Sequence, residues 1–197
     1  MLYKIAHILR DYFPFLWDLI DIINSWLFGF RYGSKIAQVN NTLNDGVEIY
    51  QIKCISELPV DNLVTFFANQ PEEAYKYFKP HGFDAKSLKK LQGYKAFLAY
   101  AVMNGDKIVG YFFMRSFFWG KTYIGRMVDV NYRGKGIAKM MNRKTMEIAG
   151  ILGLRVFQTI SPENVSSLKS AEAENELRII KTMPNGDLYV ENLPKKN

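Results

Sequence analysis

The sequence predicts an α+β (mixed α/β) fold: a mixed, mostly antiparallel sheet flanked by helices, plus an N-terminal hydrophobic helical segment. Residues 97–103 and 107–117 have the pattern of strands around Asn104-Gly105-Asp106, a turn signal typical of a β-hairpin. Residues 123–160 pass from a strand through a helical period to a second strand, which predicts a crossover between parallel strands. Residues 13–30 form a nearly continuous apolar stretch.

The composition is that of a globular protein that can bury a full core. Of the 197 residues, 48% are hydrophobic and 23% are charged. We expect one domain of about 150 residues with an appendage. The net charge of +7 suits an anionic ligand, a nucleic acid or an anionic membrane surface without choosing among them. The aromatic residues are not interleaved with a basic stripe, so a nucleic-acid partner is not predicted.

Cysteine and histidine are too scarce to build a disulfide framework or a zinc cluster within one chain. Cys54 is the only cysteine, and His7 and His81 are the only histidines. We therefore expect no metal site and a reducing, cytoplasmic environment. Cys54 is interpreted as a small packed residue, and His81, between Pro80 and Gly82, as a loop residue rather than a catalytic base.

Residues 1–33 predict an amphipathic helical segment rather than a membrane span. Asp18, Asp21, Asn24 and Ser25 recur at helical intervals and form one polar stripe within a broad apolar face. Two aspartates in the middle of a span would be costly in hydrocarbon, and they also interrupt any signal-peptide core.

The remaining chain divides into a linker and one main domain. Residues 34–46 contain Asn40, Asn41, Asn44 and Asp45 and are interpreted as a linker or long loop, so we place a linker at 34–45 and the main domain at 46–193. The predicted elements of the domain are a strand at 47–53, short helices at 60–69, 71–78 and 84–92, strands at 97–103, 107–117 and 123–130, a helix at 135–153, a strand at 154–160, a helix opened by Ser161-Pro162 and closed by a left-handed Asn175, and a hairpin at 178–183 and 187–192.

The most informative stretch is Arg133-Gly134-Lys135-Gly136-Ile137-Ala138, here called the phosphate turn. It lies where a predicted strand ends and a predicted helix begins. Glycines allow a ligand to approach the backbone closely, and a helix N-terminus offers free N–H groups and a positive dipole. Arg133 and Lys135 add charge, so a diphosphate is the natural occupant. The alternative is a glycine-rich turn with exposed basic residues.

With these residues the sequence resembles the GNAT superfamily of acyl-CoA-dependent N-acyltransferases. The family signature is Arg or Gln, two residues, Gly, one residue, then Gly or Ala, and it is matched by Arg133, Gly136 and Ala138. The resemblance extends in element order over residues 46–193, including Ile108-Val109-Gly110 and the pair Asn164 and Ser167.

The resemblance implies acetyl-CoA as cosubstrate and a GNAT-like sheet whose central strands splay apart around the pantetheine arm. The backbone N–H of Val128 would polarise the thioester carbonyl and stabilise the oxyanion. Asn164 would bind the pantetheine, although a polar residue there also satisfies the first turn of its own helix. The residues implied in cofactor binding are Val128, Val130, Arg133, Gly134, Lys135, Gly136, Ile137, Ala138, Asn164 and Ser167.

The sequence departs from the family in its acid–base residues. Many members carry a tyrosine seven residues after the asparagine, where it protonates the leaving thiolate, and this position is Ala171. The Gly-Phe pair that usually ends this helix is also absent. The candidate bases are Asp129, Glu163, Glu172, Tyr111 and Tyr123, and the sequence distinguishes none of them from surface or core residues. A water relay would serve as well.

The leading hypothesis is therefore an N-acetyltransferase that moves an acetyl group from acetyl-CoA to a primary amine by direct attack in a ternary complex. The acceptor is a small molecule or sugar amine that the sequence does not identify, with an amino sugar as the first guess. The alternative, motivated by Ala171, is a catalytically silent GNAT-like module that binds acyl-CoA, a membrane or a protein.

The apolar face of residues 1–33 is expected to be buried against a partner, and two kinds of partner are considered. The first is packing against the catalytic domain or a second subunit. The second is the inner membrane surface, with Lys4, Arg10, Arg31 and Lys35 at anionic headgroups and Trp17 and Trp26 at the interface. The face in question consists of Leu16, Leu19, Ile20, Ile23, Leu27 and Phe30.

Overall fold

A computed structural model describes residues 14–47 and 49–195. The predictions for Lys4, His7 and Arg10 lie outside the described residues. The helices are α1 (Pro14–Thr42), α2 (Val60–Ala68), α3 (Ala85–Gln92), α4 (Ile137–Leu152) and α5 (Val165–Glu174), and the strands are β1 (Gln51–Cys54), β2 (Phe97–Asn104), β3 (Lys107–Phe117), β4 (Lys121–Val128), β5 (Arg155–Ile160), β6 (Asn175–Thr182) and β7 (Leu188–Pro194). Short 3-10 helices lie at Ile55–Glu57, Glu72–Tyr75 and Val130–Tyr132.

The strands form one sheet in the order β1-β2-β3-β4-β5-β7-β6. Each neighbouring pair is antiparallel except β4 and β5, which are parallel and joined by α4. The predicted α+β fold with a mixed, mostly antiparallel sheet is thus confirmed, as are the central hairpin and the parallel crossover. In the hairpin, Gly105 takes a positive φ of 58°, which glycine adopts without steric cost.

Helices cover both faces of the sheet. Helices α1 and α4 pack on one face through a core that includes Phe28, Tyr100, Phe112 and Met141. Helices α2 and α3 pack on the other face over β2 and β3, where Phe67 belongs to the second core. Beyond them, this second face continues as an aromatic surface formed by Tyr123, Phe157 and Tyr189.

The parallel strands β4 and β5 separate soon after they begin. Their pairing runs only from Lys121 and Arg155 to Tyr123 and Phe157, whereas β4 continues to Val128 and β5 to Ile160. The splayed central strands expected from the resemblance are therefore present. We call the gap between the diverging ends the cleft.

Helix α1 corrects the predicted linker. Residues 34–46 were expected to form a linker or long loop, but α1 continues to Thr42. The reason is that Ile36, Val39 and Leu43 keep the helical period and pack on the first core, which outweighs the low helix propensity of the asparagines. The proposed division into residues 1–33, 34–45 and 46–193 stays a prediction.

Three predicted boundaries in the domain were also wrong. The first strand spans only Gln51–Cys54. The Asn44 side chain donates to the Ile52 carbonyl and accepts from the Ile52 N–H, so the loop that precedes the strand is held against Ile52. The last helix begins after Asn164 rather than at Ser161-Pro162. Asn175 is extended, with φ −132° and ψ 156°, and starts β6 instead of closing the helix in a left-handed conformation.

The polar stripe of α1 faces the domain and its apolar face points outward. Leu19, Ile20, Ile23 and Phe30 remain between 44% and 88% exposed. The expectation that the catalytic domain covers this face is wrong for these residues, because the polar side chains make the docking contacts. Over the part of the chain that the structure describes, no helix is both long and apolar enough to cross a membrane.

Candidate active site

The phosphate turn joins β4 to α4 with an open backbone. Gly134 and Gly136 take φ values of 76° and 78°, a conformation that side-chain-bearing residues rarely adopt. Gly136 is the N-cap of α4 and supplies no side-chain cap. The first N–H groups of α4 are thus left for a ligand, as in other anion sites at helix N-termini.

Cations surround the turn on its exposed side. Arg133 and Lys135 are exposed. The Lys135 Nζ lies 4.5 Å from the centre of the Tyr132 ring, and the Lys107 Nζ lies 4.9 Å from the same ring. The turn therefore combines backbone donors with exposed positive charge, which suits a diphosphate.

The buried side of the turn is fixed against the sheet. Ile137, the first residue of α4, is 2% exposed. A Cβ on Gly110 of β3 would lie only 3.2 Å from Ile137 Cγ2 and 3.3 Å from Val102 Cβ. Glycine at position 110 therefore lets α4 pack close to the sheet, and Ala138 follows at the start of the same helix.

The backbone of β4 directs one N–H into the cleft. The Asp129 N–H donates to Val109 on β3 at 3.0 Å. Successive N–H groups of a strand point to opposite sides, so the Val128 N–H points toward the cleft, beyond the last pairing with β5. The Val130 N–H donates to the Gln70 side chain at 3.3 Å.

Arg126 enters the cleft and was not identified from the sequence. Its guanidinium donates to Gln158 Oε1 on β5 at 3.3 Å, to the Ser167 carbonyl at 3.2 Å and hydroxyl at 3.3 Å, and to the Ser170 hydroxyl at 2.9 Å. These acceptors are all uncharged. Burial lowers the pKa of Arg126 to about 10, so the group remains a cation at neutral pH.

A polar network continues from Arg126 into the sheet. Gln158 donates to Asn192 Oδ1 at 2.7 Å, and Asn142 on α4 donates to the Ser170 carbonyl at 2.7 Å. Among the described residues, three buried side-chain atoms lack a hydrogen-bond partner: Asn142 Oδ1, Asn175 Oδ1 and Asn192 Nδ2. Buried amide atoms without partners are costly, so the interior network between α4, β6 and β7 has hydrogen-bonding capacity that the described residues do not use.

Helix α5 places the predicted pantetheine residues and Ala171 beside this network. Asn164 caps the helix, with its Oδ1 accepting from the Ser167 N–H at 3.2 Å. This is the structural alternative raised for Asn164, and it leaves the side-chain NH2 group as the part that a ligand would engage. Ser167, Ser170 and Ala171 share one helix face because they are three and four residues apart.

Asp129 is the most buried of the candidate carboxylates. It is 3% exposed, accepts from the Asn131 N–H at 2.9 Å and lies 3.3 Å from the Lys107 Nζ. Burial alone would raise its pKa, but the Asn131 hydrogen bond and Lys107 outweigh burial and lower it. It borders a cavity of about 700 Å³ that Gln70 also lines. A lowered pKa makes Asp129 a weak base.

Tyr111 and His81 form a buried hydrogen-bonded pair. His81 Nδ1 lies 2.8 Å from the Gly82 carbonyl, which can only accept, so Nδ1 carries the proton. Nε2, 3.0 Å from the Tyr111 hydroxyl, then accepts from it. Burial raises the pKa of Tyr111 and lowers that of His81. Both ring nitrogens of His81 are therefore engaged in contacts within the protein.

The other candidates lie on the open side of the site. Glu163 accepts from Lys76 at 3.2 Å and from the Tyr77 hydroxyl at 3.1 Å, and these bonds lower its pKa. Glu172 is exposed on α5. Tyr123 is 37% exposed, with its hydroxyl 3.3 Å from that of Tyr189.

The splayed sheet and the glycine-rich helix start are the features expected of an acyl-CoA-dependent acyltransferase with a GNAT-like fold. Residues 61–173 match the family described as "Acetyltransferase (GNAT) family". The match spans more than half of the chain and includes the phosphate turn. The chain therefore belongs to the GNAT acetyltransferase family.

Solved structures share this fold at low sequence identity. The GNAT domain of S. lividans PAT has a TM-score of 0.62 at 16% identity, covering 73% of this chain and 90% of that one. The structure of AAC(6')-Ib in complex with paromomycin and acetyl-CoA has a TM-score of 0.57 at 15% identity, and the match covers 75% of this chain and 94% of that one. The Campylobacter jejuni N-acetyltransferase PseH has a TM-score of 0.56 at 15% identity, and the match covers 76% of this chain and 100% of that one. Such identities establish the fold alone. Among curated protein sequences, no significant match is found.

Proposed function

We propose that this protein transfers an acetyl group from acetyl-CoA to a primary amine. The observation that carries the proposal is the phosphate turn, which places uncapped N–H groups and cations a few residues beyond the end of the strand that borders the cleft. Family membership supports the acyl donor. Similar structures named as an N-acetyltransferase and as a complex with paromomycin and acetyl-CoA support an amine acceptor.

The cosubstrate would lie along β4 from the phosphate turn into the cleft. In this proposal, the diphosphate binds the N–H groups at Gly134, Gly136 and the first turn of α4, with Arg133 and Lys135 beside it. The pantetheine fills the gap where β4 and β5 no longer pair, with Val130 near its entrance. Asn164 and Ser167 contact it from α5, and the Val128 N–H binds the thioester oxygen.

Arg126 is our candidate for the role that Ala171 cannot fill. Attack by the amine nitrogen forms the C–N bond and breaks the C–S bond, so negative charge develops on sulfur and the nitrogen releases a proton. The Arg126 guanidinium contacts Ser167 and Ser170 on the helix face that bears Ala171. A partly buried cation at this position would stabilise the thiolate electrostatically without donating its proton.

The acceptor would approach from the aromatic surface of the second sheet face. Tyr123 and Tyr189 combine apolar rings with hydroxyl groups, and the Phe157 and Tyr189 rings stack with centroids 5.6 Å apart. Such a surface suits a small ring that carries hydroxyl groups, so an amino sugar is the first acceptor to test. A water relay remains the proposed route for the amine proton, because the pKa values of Asp129 and Glu163 are lowered and Tyr111 is fully buried.

A catalytically silent GNAT-fold module is the second candidate, favoured by alanine at position 171. Release of CoA thiol in the presence of a panel of amines, together with calorimetric titration of acetyl-CoA, separates the two. Binding with amine-dependent thiol release supports the enzyme. Binding without turnover on any amine supports the silent module, and absence of binding at submillimolar acetyl-CoA contradicts both.

A further inference from the structure

Helix α1 attaches to the domain through its polar stripe. The Asn24 side chain donates to the Ser116 carbonyl at 2.9 Å and accepts from the Phe118 N–H at 3.0 Å. The Ser25 hydroxyl accepts from the Lys95 N–H at 2.7 Å. These buried bonds hold the first half of the helix at the end of the sheet where β2 begins and β3 ends.

The two aspartates of α1 are used in the same attachment. Asp21 forms a bidentate contact with Arg115, with both oxygens 2.9 Å from Nη2, and Asp18 pairs with Lys90 on α3. Because the polar stripe is committed to the domain, the opposite side of the helix faces solvent. We call this side the outer face, and it comprises Leu19, Ile20, Ile22, Ile23, Trp26 and Phe30.

The outer face is apolar and protrudes. Its least exposed residue is 44% exposed, while Trp26 reaches 71% and Phe30 reaches 88%. The turn between β3 and β4 lies beside it, since Arg31 Nη1 donates to the Phe118 carbonyl at 2.8 Å. That turn adds Phe118 and Trp119, which are 37% and 53% exposed. Contiguous apolar surface of this kind marks an interaction site.

Charge around the outer face selects its partner. Residues 22–44 contain no Asp or Glu, and Asp18 and Asp21, which precede them on α1, form ion pairs with Lys90 and Arg115 of the same chain. Arg31 and Lys35 are exposed on α1, and Lys89 is exposed on neighbouring α3. In a two-fold dimer the same patch would meet itself, and its basic border would find no acid. An anionic lipid surface supplies the missing negative charge.

We propose that the outer face of α1, with the turn at Phe118-Trp119, binds the surface of an anionic bilayer with α1 lying in the interface plane. Exposed Trp26 and Trp119 match the preference of tryptophan for the boundary between headgroups and acyl chains. The phosphate turn follows the far end of β4, and a strand of 8 residues spans about 26 Å. The cosubstrate site would therefore stay in water while the aromatic surface lies nearer the lipid.

Flotation of the full chain with vesicles tests the proposal. We expect binding to phosphatidylcholine vesicles that contain phosphatidylglycerol, weaker binding to phosphatidylcholine alone, and release by salt. The double variant Trp26→Glu/Phe30→Glu should lower binding at least about tenfold. Trp26→Ser/Phe30→Ser should also lower it, because apolar area is lost without added charge. The matched control Gln38→Glu/Asn41→Glu adds the same charge at exposed polar positions of α1 and should bind nearly as the wild type.

Some outcomes would overturn the proposal. Wild-type protein that stays unbound with anionic vesicles at low salt contradicts it, as does equal binding by the outer-face variants. Sedimentation without lipid tests whether a second copy of the chain occupies the outer face instead. A wild-type dimer that Trp26→Glu/Phe30→Glu converts to a monomer would identify a subunit interface and contradict the proposal. Thermal unfolding by circular dichroism verifies that each variant is folded, so that lost binding reports the surface.

Discussion

The phosphate turn and the cleft adjoin each other but would bind in opposite ways. The turn is exposed, presents backbone N–H groups, and carries Arg133 and Lys135 at the surface. The cleft is partly buried, presents side chains from β4, β5 and α5, and holds the Arg126 guanidinium against neutral acceptors. Ligand binding at the phosphate turn should therefore depend on backbone geometry, whereas chemistry in the cleft should depend on the charge of Arg126. A substitution should alter affinity in the turn and turnover in the cleft.

The sharpest test of this contrast is Arg126→Met, which keeps an unbranched side-chain stem and removes the charged guanidinium. We expect kcat to fall by about a hundredfold or more, as for the loss of one preorganised electrostatic contact, while the Kd of acetyl-CoA changes only a few-fold. Steady-state thiol release and calorimetry measure the two quantities. Arg155→Met, an exposed arginine on β5 that pairs with Glu191, is the matched control. A fall in affinity as large as the fall in kcat would contradict the assigned role.

The next effect should come from Gly136→Leu. The residue has room for a side chain, so the damage comes from the positive φ, which costs about 1–2 kcal/mol, and from blocked approach of the diphosphate. We expect acetyl-CoA binding to weaken by at least about thirtyfold.

Gly153→Leu is the control for strain alone. Gly153 has φ 70°, open space for a Cβ, and caps the other end of the same helix. It should lower the unfolding temperature about as much as Gly136→Leu and leave affinity unchanged. Equal losses of affinity in both variants would mean that strain, rather than ligand approach, determines binding.

A smaller change is expected from Arg133→Ala. An exposed cation is screened by water and salt, so its removal should weaken acetyl-CoA binding only about fivefold at low salt and less at high salt. Calorimetric titration at two ionic strengths measures this. A loss that does not depend on salt would indicate a directional hydrogen bond instead of general attraction.

The smallest effect concerns stability and lies outside both regions. The pKa of His81 is lowered mainly by burial, with Arg115 adding to it and the Gly82 hydrogen bond opposing it. The unfolded state binds a proton at His81 more readily than the folded state does. The folded state is therefore favoured above the unfolded pKa of about 6.5, and this contribution to stability is lost as the pH falls below that value.

The variant His81→Gln keeps a hydrogen-bond acceptor for Tyr111 but removes the titration. Its unfolding free energy should therefore fall less steeply than that of the wild type between pH 8 and pH 5, by at most about 1.4 kcal/mol per pH unit for one proton. Urea unfolding at several pH values measures the slopes. His7 is present in both proteins, so identical slopes would mean that His81 remains protonatable when folded.

The two regions also differ in what the sequence reveals. The phosphate turn is local: strand, glycines and helix start lie within residues 128–138, and each residue type has a direct backbone reason. The cleft is not local. Arg126 meets Ser167 and Ser170, which are 41 and 44 positions away, and only the crossover brings them together. The position of Arg126 between Gly125 and Met127 in a strand was a signal, but its partners could not be derived.

Helix α1 gives the same lesson at the level of orientation. The spacing of Asp18, Asp21, Asn24 and Ser25 predicted a polar stripe. It did not predict that this stripe would turn inward, because its partners Arg115 and the backbone of Ser116 and Phe118 lie about ninety positions away in sequence. A hydrophobic pattern gives the faces of a helix, while long-range hydrogen bonds decide which face is buried.

The inner side of α1 limits how this protein can be made more soluble. Phe28 is fully buried, and Tyr32 and Val39 are nearly so. The helix is thus part of the core of the domain, and the usual remedy for a sticky N-terminus, shortening the chain, would open the core beneath it. Polar replacements at Trp26 and Phe30 would keep that core closed and remove the apolar surface. Solubility and folding are therefore separable here by point substitution and inseparable by truncation.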